Sequence, residues 1–135
     1  MLVLFNYLYA NGDAHLKNFS LLESDTGDYR ISPAYDLINT RLHVDDTDFA
    51  LNNGLFEDKF QSEKRQIRGY ACKADFVEFG RRLGVLESRI EKLIVPFLIN
   101  QSAVESLISR SFLSEESKRG YLHTYRTRRN RLMTS

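Results

Sequence analysis

Ten consecutive residues, Asn11-Gly12-Asp13-Ala14-His15-Leu16-Lys17-Asn18-Phe19-Ser20, carry a carboxylate, two carboxamides, an imidazole, an ammonium and a hydroxyl. A second patch, Ser32-Pro33-Ala34-Tyr35-Asp36-Leu37, adds another carboxylate. Phosphoryl transfer from a nucleotide needs an oxygen base beside the accepting hydroxyl. It also needs hard oxygen ligands for Mg²⁺ and a cation near the transferring group. The two patches hold that set. Asp13 would orient the acceptor hydroxyl and take its proton; a carboxylate is a weak base, so positioning is its main task. Asn18 would give its amide oxygen to the metal, and Asp36 would be the second metal ligand. Lys17 would face the phosphoryl oxygens of the nucleotide. His15 reads either as a member of the catalytic loop or as a hydrogen-bonded scaffold residue. Ser20 reads as a strand hydroxyl and Tyr35 as packing. In the plainer alternative, Asp13 and Asp36 only cap turns.

Such groups work only when a scaffold holds them still. The loop lies between two apolar runs, residues 2–10 and 19–22. Residues 1–10 read as a helix, with Leu2, Phe5 and Leu8 or Tyr9 at helical spacing and Asn11-Gly12 as its stop. This helix is apolar from its first residue, which suggests a larger parent or a second chain to supply the missing part. Residues 19–22 and 29–31 read as short strands joined by the turn Asp25-Thr26-Gly27-Asp28. Pro33 pushes Ser32 to an extended conformation, and one short turn is expected over 34–39. Residues 40–58 read as loop, with a strand at 48–51 and a turn at Gly54. Asp45-Asp46-x-Asp48 reads as a solvated loop, since it lacks the spacing of a calcium loop.

From residue 62 the pattern is helical. One helix runs over 73–83 and stops at Gly84, with Phe76, Phe79 and Leu83 as its stripe. A longer one starts near Leu86, and Pro96 must kink or split it. Ser114-Glu115-Glu116 opens a last helix with a cap and an acidic first turn, where Tyr121, Leu122, Tyr125 and Leu132 could pack. The expectation is a mainly α chain with a small β-hairpin, a single domain over 1–135. Its catalytic loop and metal segment span 11–37 and its helical remainder spans 62–132.

The chain has 135 residues, 42% of them hydrophobic and 27% charged, which suits a globular domain with a real core. No apolar run reaches the length of a membrane span, and MLVLF lacks the features of a signal peptide. One cysteine, Cys72, excludes an internal disulfide framework. A cytoplasmic location is the simplest expectation. Past Glu116 every formal charge is positive, from Lys118 through Arg126, Arg128, Arg129 and Arg131. That tail reads either as a solvated helix face with unpaired arginines or as a surface for something anionic.

Protein kinases place their base and one metal ligand as Asp-x-x-x-x-Asn, the spacing of Asp13 and Asn18. Asn11 to Ser20, followed by Ile31-Ser32-Pro33-Ala34-Tyr35-Asp36-Leu37, resembles the catalytic segment of HipA-like serine/threonine kinases, the bacterial toxin kinases of toxin–antitoxin pairs. The match is strongest over residues 2–40. The resemblance implies a kinase-like helical C-terminal lobe, with Asp13 as catalytic aspartate, Asn18 and Asp36 as Mg²⁺ ligands, and Lys17 and His15 as loop residues. It further implies ATP, a protein hydroxyl as substrate, and a DNA-binding antitoxin of the HipB type as partner. The family's N-terminal lobe, with its phosphate-covering loop and nucleotide-anchoring lysine, has no counterpart here, and Asp36 sits in Tyr-Asp-Leu rather than Asp-Phe-Gly. This chain alone is therefore expected to bind ATP poorly and to have negligible kinase activity. Two alternatives stay open. Gly12 to Asn18 also fits the loop of aminoglycoside- or choline-type small-molecule kinases. A non-catalytic module that binds an antitoxin, or DNA through the basic tail, is the other.

Overall fold

The computed structural model describes residues 1–99 and 101–134. Six helices and one hairpin are found among them: α1 Leu2–Leu8, β1 Leu21–Glu23, β2 Tyr29–Ile31, α2 Glu63–Arg68, α3 Lys73–Arg82, α4 Glu87–Leu98, α5 Ser102–Arg110 and α6 Glu115–Met133. Single 3-10 turns sit at Leu16–Asn18 and Thr40–Leu42. The expected mainly helical architecture with one hairpin is what forms.

The first helix is the hub. Leu4, Tyr7 and Leu8 are buried, at the i, i+3, i+4 spacing of one helix face. They pack with Phe76 of α3, with Ile90, Ile94 and Phe97 of α4, and with Tyr125 and Leu132 of α6. The stop of α1 falls earlier than Asn11-Gly12 suggests. Ala10 takes the left-handed conformation, φ 60°, and closes a Schellman motif. Its N–H donates to the carbonyl of Tyr7, and the N–H of Asn11 donates to that of Asn6. Ala10 is fully buried, so the packing around its methyl group opposes the preference for glycine there.

Helix α6 closes the core through one charged residue. Arg128 is only 2% exposed. Its guanidinium donates to the carbonyl of Tyr7 and to the carboxylate of Asp48, and lies over the Tyr7 ring, 5.0 Å from its centroid. The segment 48–51 forms no strand; it is bent around this ion pair and the stacking of Phe49 on Tyr7. Asp48 is therefore not part of a solvated loop, because a buried arginine needs a carboxylate.

The helical region divides where the composition says it must. Residues 87–110 split into α4 and α5, but the break lies just downstream of Pro96 rather than at it. Helix α4 runs two residues past the proline, Ile99 is extended, and Gln101 Nε2 donates to the Pro96 carbonyl across the gap. Ser114 caps α6 by accepting from the Ser117 N–H, as its sequence indicates. Asp75, fully buried, accepts from the backbone N–H groups of Ser62 and Cys72, both at 2.9 Å, and joins the starts of α2 and α3.

The hairpin stands apart from this core. Leu21 faces Ile31 and Glu23 faces Tyr29 across the two strands. Leu21, Leu22, Tyr29 and Ile31 are all more than half exposed. No turn forms over 34–39; the single turn lies later, at Thr40–Leu42.

Candidate active site

The loop after α1 is tied down by two buried asparagines and a threonine. Asn11, 3% exposed, is the central tether. Its Nδ2 donates to Asn6 Oδ1 at 3.2 Å and to the backbone carbonyl of Asp36 at 3.0 Å. Its Oδ1 accepts from the N–H of Asp13, an Asx turn that aims the next residues outward. Thr40 Oγ1 accepts from the Gly12 N–H at 2.9 Å and donates to the Ala10 carbonyl. Gly12 has to be glycine for steric reasons. A Cβ there would lie 2.5 Å from the Thr47 carbonyl oxygen and 2.6 Å from Asp46 Cγ.

On that base the expected residues come together. Asn18 Nδ2 donates to Asp36 Oδ2 at 2.8 Å, joining residues 18 apart, and to the Asp13 carbonyl at 3.3 Å. Asp36 holds a left-handed backbone, φ 53°, which aspartate tolerates better than most side chains. His15 Nε2 lies 3.6 Å from Asp13 Oδ1, too far for a hydrogen bond, and the buried His15 Nδ1 has no partner among the described residues. The scaffold reading of His15 thus lacks the hydrogen bond it required. Lys17 is exposed, and its ammonium has no ion pair among the described residues. The Asp13 side chain is 60% exposed.

Tyr35 does more than pack. Its hydroxyl donates to the Lys17 carbonyl at 2.9 Å and lies 2.8 Å from Ser20 Oγ, so it braces the loop against the segment leading to Asp36. Ser20 meets this brace just ahead of β1. The pairing of Tyr35 with the Leu16–Asn18 turn has no local sequence signal. The roles of Asn6 and Thr40 have none either, because each acts across the fold.

The donors that meet between the two segments are the Asn18 amide and the Asp36 carboxylate. Both offer hard oxygens of the kind that suit Mg²⁺. Both hydrogen bonds of Asn18 use Nδ2, which leaves the amide oxygen as the atom for a metal. Among the described residues no group of three His, Cys, Asp or Glu side chains converges as a metal site. The concavity at this site is only about 10 Å³, lined by Asn11, Asn18, Tyr35 and Asp36 among others.

Four arginines of the basic tail are engaged within the chain. Arg126 binds Glu105 at 2.7 Å, Arg128 is buried on Asp48, and Arg131 lies over the Tyr70 ring at 4.6 Å. Arg129 stacks over Tyr125 at 5.9 Å. They are not an unpaired solvated face.

The model of the HipA-like C-terminal domain matches residues 1–105. This chain belongs to that family. A Haemophilus influenzae protein named "Putative kinase" is 28% identical over 137 residues, covering 93% of this chain and 39% of its own length. A Sinorhizobium fredii protein named "Putative kinase Y4dM" is 36% identical over 77 residues, covering 56% of this chain and 19% of its own length. The chain therefore spans well under half the length of these two relatives. No described helix is long and apolar enough to cross a membrane.

Proposed function

We propose that this HipA-like chain supplies the phosphoryl-transfer loop and metal clamp of an ATP-dependent serine/threonine protein kinase, the toxin of a toxin–antitoxin pair. The observation that carries the reading is the 2.8 Å hydrogen bond between Asn18 and Asp36, with the backbone carbonyl of Asp13 accepting from the same Asn18 amide. Asn18 and Asp36 would hold Mg²⁺, which when bound neutralises charge on the nucleotide phosphates. Asp13, well exposed, orients the substrate hydroxyl and accepts its proton as the new oxygen–phosphorus bond forms and the bond to ADP breaks. Lys17, which is exposed, would face the phosphoryl oxygens. His15, close to the Asp13 carboxylate, limits where that carboxylate can swing.

The exposed apolar hairpin beside the loop suits the docking of a further lobe, in cis or in trans, that grips the rest of the nucleotide. The greater length of both kinase-named relatives agrees with this. An antitoxin of the HipB type and a protein substrate belong to that larger assembly, and cytoplasmic location follows from the same reading.

The test is a phosphate-transfer assay on this chain completed by the proposed further lobe, in cis or in trans. Asp13→Asn and Asp36→Asn should each lower transfer by at least about 100-fold. The 135-residue chain alone should show no Asp13-dependent turnover. Full activity of either variant overturns the assignment of roles. Turnover by the short chain overturns the need for another lobe.

A further inference from the structure

The basic part of α6 lies beyond the family-matched residues 1–105 and borders a cleft that the proposed reaction does not use. The cleft has a volume of about 380 Å³. Arg41, Arg128 and Arg131 line it with a single carboxylate, Asp48. Hydroxyls come from Tyr70 and Thr127, and His123 adds an exposed imidazole. Three guanidiniums against Asp48 and the Asp45 carboxylate paired with Arg41 leave an excess of one positive charge at a concave site, where low-dielectric walls strengthen its field.

The three arginines differ in how free they are. Arg128 is buried, and its nitrogens are spent on Tyr7 and Asp48, so it is a fixed charge behind the cleft. Arg131 lies 3.7 Å from Asp48, longer than a hydrogen bond, and stacks on Tyr70. A stacked guanidinium keeps its in-plane N–H groups available at its edge. Arg41 is exposed; its Nη1 donates to the Asp46 carbonyl at 2.6 Å and its Nη2 to Asp45, whose side chain is 97% exposed, at 3.1 Å. Exposed pairs of this kind are worth little and exchange readily for a better anion.

The best anion for two arginine forks is one with several oxygens and two charges at a point. A nucleic acid strand instead spreads single charges along a line, which suits a ridge or groove. We propose that this cleft binds a phosphomonoester, its phosphoryl group held between the forks of Arg41 and Arg131.

The experiment is calorimetric titration of the chain with O-phosphoserine, with orthophosphate and with an oligonucleotide lacking a terminal phosphate. Saturable one-to-one binding of O-phosphoserine is expected. Arg41→Gln and Arg131→Gln should each raise its Kd by about ten-fold or more, the loss of one charge-assisted contact. Arg41→Lys should lose less. Lys17→Gln should leave the Kd unchanged, which separates this cleft from phosphate attraction to the loop at Asp13. Orthophosphate binding with the same arginine dependence identifies the phosphoryl group itself as the recognised part; if only O-phosphoserine binds so, its carrier contributes as well, and the proposal stands. No saturable binding overturns the proposal, as does equal loss in Lys17→Gln, or tighter binding of the oligonucleotide than of O-phosphoserine. Circular dichroism checks folding; if Arg131→Gln unfolds, the solvent-side Arg41→Gln decides.

Discussion

The body around Tyr7 and the loop around Asp13 are built by opposite means. In the body, Tyr7, Leu8, Tyr125 and Leu132 are almost fully buried, and the arginine among them, Arg128, is matched by a carboxylate and a carbonyl. In the loop, Asp13, Lys17 and Asp36 lie open to solvent, and only their anchors, Asn6, Asn11 and Thr40, are buried. The body is held by apolar area. The reactive end is held by a few side-chain to backbone hydrogen bonds that run from the body outward. Reactive groups can therefore be changed at little cost to stability, while their anchors cannot.

That contrast can be broken most sharply at Arg128. Arg128→Ala takes from Asp48 its close partner and from the Tyr7 carbonyl one of its donors, and should cost about 3–5 kcal/mol in urea denaturation. A loss below about 1 kcal/mol would mean that the buried pair is not what closes α6 on α1.

Gly12→Ala comes next. Its methyl group meets backbone at Thr47, so the loop or the 44–48 segment must shift, at about 1–3 kcal/mol. Normal stability would show that these segments are less firmly apposed than the 2.5 Å approach implies. Asn11→Ala removes three hydrogen bonds from a buried position and should cost about 2 kcal/mol. It should also release the 34–37 segment, seen as loss of chemical-shift dispersion there while the core signals stay put.

Tyr7 tests the body from its pH dependence. Burial, and then the Asp48 carboxylate, push its hydroxyl up to about 12. An unfolded tyrosine titrates near 10. Between those values the unfolded chain gives up a proton that the folded chain keeps. Stability is therefore complete below about pH 10 and falls as pH rises towards 12. Tyr9, also pushed up to about 12 by burial, acts in the same window. Tyr7→Phe should lessen that alkaline slope, while costing about 1 kcal/mol at neutral pH through its lost bond to the Ala71 carbonyl. An unchanged slope would assign the effect to Tyr9.

The smallest effect is expected where function should suffer most. Asp36→Gly relieves a left-handed backbone and loses an exposed hydrogen bond, so stability should change by less than about 1 kcal/mol in either direction. The proposed metal-dependent phosphate transfer, assayed with the further lobe supplied, should nevertheless disappear. A large loss of stability would place Asp36 among the anchors.

Much of this molecule is decided by local chemistry. Apolar spacing sets α1, Ser114 sets the start of α6, Gly27 closes the hairpin, and a proline in 87–110 forces a division somewhere nearby. The types and spacing of Asp13, Asn18 and Asp36 are what the proposed phosphoryl transfer is read from, because that chemistry needs a base and hard oxygen ligands. Tertiary structure alone decides that Asn18 meets Asp36, that Tyr35 braces Lys17, that Ala10 rather than Asn11 or Gly12 turns the chain, and that Arg128 is core rather than surface. Each of these depends on a partner 18 or more residues away or on burial that opposes an intrinsic preference. Local pattern carries no record of either, since an arginine on a basic helix reads the same whether or not a distant aspartate waits to pair with it.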